Sequence, residues 1–143
     1  MEMNCNQCQE AAKGIGCTVF GVCGKSPELS ALMDTFIYSL IGLSSLAVEA
    51  KKLEINTEEI DLFVIEGLFA TITNANFDEE EFVSRIQASI NYREQYKALL
   101  QEKGIVLPSA AIYELDVKTK EEMIHKALHL AIHQTADEDI RSI

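Results

Sequence analysis

The sequence predicts an all-α fold, an antiparallel bundle of about four helices preceded by a cysteine- and glycine-rich loop. Three observations predict it. Helix-start signals recur after residue 25, four of them opening the helices of the bundle. Each is followed by apolar residues spaced for one helical face. Residues 1–25 lack any helical period, yet they hold all four cysteines and four of the seven glycines. At 143 residues the chain is about one domain, with a cysteine-rich loop over 1–25 and the bundle over 26–143 forming one unit.

The first helix opens with Ser26 as N-cap and Pro27 at the first helical position. Leu29, Leu32, Met33, Phe36, Ile37, Leu40 and Leu43 then share a face. The second opens on Asn56 and Glu59, spaced as a capping box. Its apolar face (Ile60, Phe63, Val64, Leu68, Phe69, Ile72) is widened by Leu62 and Ile65, so it is expected to be the most buried helix.

The third has Asp78 as cap and three glutamates in its first turn, where the helix dipole favours them. Phe82, Ile86, Ile90 and Leu100 form its stripe, and Gly104 is expected just past its end. The linker 105–117, with Pro108, has room for a short extended piece. Thr119 and Glu122 form another capping box, followed by Met123, Ile124, Ala127, Leu128, Ala131 and Ile132. A last cap pattern, Thr135 with Glu138, opens a helix cut off one turn later, as in a domain excised from a longer chain.

Composition excludes some functions. Hydrophobic residues are 48% and charged residues 24%, as in a soluble globular protein. A net charge of −11 argues against nucleic acid as a partner, since that binding rests on Lys and Arg at phosphates. It also repels anionic membrane lipid. The apolar run 36–43 falls short of the roughly 20 residues of a membrane span. The start MEMNC has neither a basic nor an apolar leader segment, so a cytoplasmic location is expected.

The cysteines follow the pattern C-x2-C-x8-C-x5-C at Cys5, Cys8, Cys17 and Cys23. Four thiolates suit a tetrahedral metal or an iron–sulfur cluster. Gly14, Gly16, Gly21 and Gly24 let backbone N–H groups approach an inorganic core. Structural disulfides are disfavoured in a reducing compartment. Structural zinc usually shows two C-x2-C knuckles, and only one is present. An iron–sulfur cluster is the favoured reading of the three. Lys13 and Lys25 are the only basic residues of the loop. Either could offset the charge of such a centre, and either could simply be solvated.

The stretch CNQCQEAAKGIGCTVFGVCGKSPELSALMDTFIYSLIGLS resembles the N-terminus of the hybrid cluster protein family, also called prismane or hydroxylamine reductase. The tail ADEDIRSI is similar to a segment deeper in that family's helical domain. The resemblance implies that Cys5, Cys8, Cys17 and Cys23 ligate a [4Fe–4S] cluster. A related class with wider spacing uses a [2Fe–2S] cluster instead. It further implies that the cluster relays electrons to a hybrid iron–sulfur–oxygen centre, which reduces hydroxylamine.

That second centre takes Cys, His and Glu ligands from downstream domains, and here no cysteine follows Cys23. The chain is therefore expected to be an N-terminal electron-relay domain, unable to reduce hydroxylamine alone. The expected partners are the rest of such a chain or a homologous subunit, a flavin- or ferredoxin-type electron donor, and a second copy. The alternative is a helical interaction domain with structural zinc or unoccupied cysteines.

Other constellations are weaker. His125, His129 and His133 line one helical face beside the apolar stripe. Glu122-x-x-His125 is half of a di-iron bundle signature whose second half is absent. Tyr92 and Tyr96, one turn apart, are expected at the core edge. No catalytic residue stands out.

Overall fold

The computed structural model describes residues 3–5, 7–73 and 75–130. Four α-helices follow the cysteine loop: α1 (Pro27–Lys52), α2 (Glu58–Ile72), α3 (Glu79–Glu102) and α4 (Lys120–Ala127). Two single turns of 3-10 helix lie at Ala12–Gly14 and Ala111–Tyr113. No β-strand occurs among the described residues, and the only β-type pairing there is an isolated bridge between Cys5 and Cys17. The all-α bundle is as the sequence predicts.

The caps set the helix starts. Ser26 Oγ accepts from the Leu29 N–H at 3.0 Å, with Pro27 at the first helical position. Asp78 Oδ1 accepts from the N–H groups of Glu80 and Glu81. Thr119 and Glu122 form the complete capping box. Gly104, at φ +79°, ends α3 in the left-handed region that a residue with a Cβ resists.

The start of α2 differs. Its N-cap is Thr57, and Asn56 makes a local turn instead, its Oδ1 accepting from the Glu58 N–H at 2.9 Å. The linker after α3 holds no extended strand; it folds into the Ala111–Tyr113 turn and sends Leu115 and Val117 into the core. The pattern at Thr135 and Glu138, with Ala131, Ile132 and the tail, lies outside the described residues.

Helix α1 is the centre. Leu29, Leu32, Met33, Phe36 and Leu40 pack with Phe82 and Ile86 of α3 and Met123 of α4. Phe36 meets Phe63 and Phe82 edge-on, with ring centroids near 6 Å apart, a favoured aromatic geometry. At the far end Leu46 and Ala50 meet Leu100 and Tyr113. By length and composition α1 could cross a membrane: its best 18-residue window has a mean hydropathy of 1.6. The short run at 36–43 understates this, because serines and small residues interrupt the apolar ones. In this structure 61% of that window is buried by the bundle.

Direction follows from the contacts. Ile60 packs near Leu43 and Ala47, and Gly67 against Phe36, so α2 runs antiparallel to α1. Phe82 lies beside Phe36 and Leu100 beside Leu46, so α3 runs with α1. The Thr35 hydroxyl donates to the Met123 carbonyl at 2.7 Å, and Lys126 sits 5.4 Å above the Tyr38 ring. α4 therefore also runs with α1. The antiparallel alternation holds through α3, and the long linker then returns the chain to the starting end.

The expectation that α2 is the most buried helix fails. Only Ile60, Gly67 and Thr71 are buried on it, while Ile65 and Phe69 are 64% and 65% exposed. Its apolar residues run around the whole helix, but only the side facing the bundle has a partner.

Two glycines permit these close approaches. A Cβ on Gly67 would lie 2.8 Å from Phe36 Cζ. A Cβ on Gly42 would overlap the Ile112 carbonyl oxygen, a backbone atom that cannot rotate away. Gly42→Ala gains up to about 1 kcal/mol of helix propensity, but the overlap costs about 1–3 kcal/mol. The expected outcome is net destabilisation, read as a lower urea midpoint with an unchanged slope.

Asp34 of α1 gives a pH prediction. Burial raises its carboxyl from 3.8 to about 6, and the nearby Lys25 ammonium partly opposes this. The folded state then holds a proton that the unfolded state has lost, so this group favours folding below about pH 4 and less so as pH rises to about 6. At about 1.4 kcal/mol per pKa unit the difference is roughly 3 kcal/mol. Urea unfolding should show Asp34→Asn gaining up to that amount over wild type between pH 4 and pH 7. A pH-independent difference would contradict the assignment.

Candidate metal centre

The four cysteines lie in the loop before α1, all as free thiols. Cys5 and Cys17 face each other across the isolated bridge. The Cys5 N–H donates to the Cys17 carbonyl at 3.1 Å, and the Cys17 N–H returns to the Cys5 carbonyl at 2.8 Å. Met3 N–H to the Thr18 carbonyl extends the pairing. The first and third cysteines are thus joined through backbone, which the spacing alone did not reveal.

Cys8 and Cys23 sit in the two turns that flank this bridge. The Ala11 N–H donates to the Cys8 carbonyl at 3.2 Å, and the chain then enters the Ala12–Gly14 turn. Lys13 and Gly14 take positive φ values of 57° and 68° there. Cys23 lies in the turn closed by the Gly24 N–H donating to the Gly21 carbonyl at 2.9 Å. Gly21 is needed for close approach: a Cβ there would lie 3.2 Å from Cys23 Sγ and 3.0 Å from Lys25 Cβ.

Local electrostatics shifts Cys17 toward its thiolate. Cys17 is 5% exposed, and the Ala12 N–H points at its Sγ from 3.4 Å. The backbone N–H groups of Val22 and Ala12 hold its thiol below the ordinary 9.0, against the opposing effect of burial and with a smaller contribution from Lys25. A thiolate is the ligating form. The Lys25 ammonium is 3.7 Å from Cys5 Sγ and 3.4 Å from Gln7 Oε1. Lys13 is exposed, so the two loop lysines differ.

Among the described residues no group of three His, Cys, Asp or Glu side chains is gathered to hold a single metal ion. Soft thiolates with N–H and ammonium donors aimed at sulfur are the donor set an iron–sulfur cluster takes.

The other candidates have structural occupations. Glu122 accepts from the Lys118 and Thr119 N–H groups at 2.7 and 3.1 Å, which lowers its carboxyl and commits it to the cap. His125 and His129 stack edge-on at 5.2 Å, and His133 lies outside the described residues. Tyr92 and Tyr96 are half-buried and donate to Glu59 and to the Asn56 carbonyl. Sequence reasoning missed the exposed apolar rim of the loop, Ile15, Val19, Phe20 and Val22. Its signal was an apolar run without helical period in an otherwise polar loop.

Residues 3–143 match the model of the Prismane/CO dehydrogenase family, which implies iron–sulfur cofactors. The whole chain is 43% identical to a hydroxylamine reductase of Desulfitobacterium hafniense (strain Y51) and 41% identical to one of Thermoanaerobacter pseudethanolicus, covering 26% of each. A Geobacter metallireducens hydroxylamine reductase is 48% identical over 71% of the chain and 18% of its own length. The chain thus spans about a quarter of the length of the curated relatives it matches across its whole extent. It belongs to the Prismane/CO dehydrogenase family.

Proposed function

We propose that Cys5, Cys8, Cys17 and Cys23 hold a [4Fe–4S] cluster and that the chain is the N-terminal electron-relay part of a hydroxylamine reductase-type oxidoreductase. The observation that carries this is the closed loop: four free thiols, two joined through the Cys5–Cys17 bridge, with an N–H and an ammonium aimed at sulfur. When bound, the cluster supplies one-electron transfer. The bridge holds two ligands in register, the Gly21–Lys25 turn places the fourth, and the buried Cys17 side limits water access. All four cysteines are used in this loop, so this stretch alone lacks the thiol ligands of a second centre and does not reduce hydroxylamine by itself.

The partners follow from the same reading. A flavin- or ferredoxin-type donor delivers electrons at the loop. The further chain that the relatives' length implies, or a homologous subunit, covers the apolar faces of α1 and α2. Ile41, Val48, Ile65, Leu68 and Phe69 stand exposed there, around a shallow groove between Ile37 and Leu68. Uncovered patches of this kind recruit partners, so the chain alone self-associates.

One observation favours a second reading, a helical interaction domain with zinc or empty cysteines. None of the three hydrophobic clusters contains a cysteine. The bundle therefore has its own source of stability.

Anaerobic reconstitution with iron and sulfide separates the two. The expected outcome is about four irons per chain with broad visible absorbance, lost in Cys17→Ser while helicity is kept. A colourless protein holding one zinc and refusing iron would establish the second reading. In sedimentation at rising concentration the isolated chain should self-associate, and Phe69→Glu should reduce this. A strictly monomeric profile would show that the α2 face needs no cover.

A further inference from the structure

Lys25 is the one lysine buried in this structure, at 1% exposed, among the described residues. Lysine is almost never fully buried without a partner for its charge, and an unpaired ammonium in the interior is costly. Yet among the described residues no carboxylate forms an ion pair with it. Its contacts are Cys5 Sγ at 3.7 Å and Gln7 Oε1 at 3.4 Å. Asp34 of α1 acts on it only electrostatically, with no ion pair or hydrogen bond joining the two. A neutral thiol and an amide are poor compensation for a buried cation. A thiolate carrying part of a cluster's negative charge is good compensation.

The position is built. The Gly21 N–H donates to the Lys25 carbonyl at 2.9 Å, and the Lys25 Cβ rests where only a glycine at 21 leaves room. Ser26, the next residue, is the cap of α1. The ammonium is therefore directed at Cys5 by the start of the most buried helix. Lys13, the other loop cation, is exposed on a strained turn, where water and salt screen it.

We propose that Lys25 is a positioning residue that holds the Cys5 sulfur and raises the reduction potential of the centre by supplying a buried positive charge beside it. This rests on the cluster reading above. Taking up one electron from a one-electron donor makes the loop one charge more negative, with no bond formed or broken and no proton moved. A fixed cation in a low-dielectric setting stabilises that added charge more than a solvated one does. Removing the cation disfavours reduction.

The test compares wild type with Lys25→Met, which keeps the apolar stem and drops the charge, and Lys25→Arg, which keeps the charge. Lys13→Met is the control. Each is reconstituted anaerobically with iron and sulfide, checked for helicity, and titrated with dithionite against redox dyes. Lys25→Met should shift the reduction equilibrium at least tenfold toward the oxidised form, a fall of about 59 mV for one electron. Lys25→Arg and Lys13→Met should stay near wild type.

If Lys25→Met folds but loads no iron while Lys25→Arg loads, the charge is needed to hold Cys5, which also supports the proposal. Loaded Lys25→Met with the wild-type potential overturns it. So does a pair of folded variants that both refuse iron, since packing rather than charge would then be at work. Wild type that takes up no iron overturns the cluster reading itself, and the role of Lys25 with it.

Discussion

The junction at residues 25 and 26 ties the cysteine loop to the bundle, and the remaining structure is arranged around it. Ser26 accepts from the Leu29 N–H and donates to Glu79 Oε1 at 3.2 Å. Glu79 in turn pairs with Lys120 at 2.8 Å. One polar chain therefore joins the starts of α1, α3 and α4. Surface pairs of this kind are weak individually, but this one sits where three helices begin together. The last link is strongest on the lysine side, where both Glu79 and Glu80 raise the Lys120 ammonium well above its usual range. The loop thus hangs from the end of the bundle at which three helix starts converge.

That convergence has an electrostatic consequence. A helix start carries partial positive charge from its unpaired N–H groups. Acidic residues in the first turns of α3 and α4 consume part of it, and Asp78 takes two of the N–H groups directly. The helix starts therefore leave little net positive charge for the cysteine loop, and the cation that faces the sulfurs is Lys25, whose charge is both buried and directed.

Much of this was legible in the residues because the signals were local. Ser26–Pro27, Asp78 and the Thr119–Glu122 box each depend on atoms within one turn, and each appears as read. What was not legible depends on distant chain. The apolar residues of α2 announce burial, but periodicity cannot say which neighbours exist to provide it. Gly42 and Gly67 look like weak points in helices, and only the approach of Ile112 and Phe36 explains them. Asn56 carried the right residue type for a cap one position too early. In the loop the sequence marked Cys5, Cys8, Cys17 and Cys23 as a group, but the pairing of 5 with 17 and the difference between Lys13 and Lys25 needed the backbone path.

The unburied surfaces extend the same logic. The outer face of α2 and the loop rim at Ile15, Val19, Phe20 and Val22 are apolar and open. A chain this acidic gains solubility from its charge, yet these surfaces are largely apolar, with Glu66 and Lys13 the exposed charges beside them. The relatives are about four times as long as this chain, so each supplies further chain that could meet such a surface. The relay centre proposed for the loop would gain from the same arrangement. Covering the rim would lower the local dielectric around the thiols, which would strengthen the influence of the Lys25 ammonium on Cys5 over that measured with the rim in water. The potential of the centre would then depend on what covers the loop as well as on the loop itself.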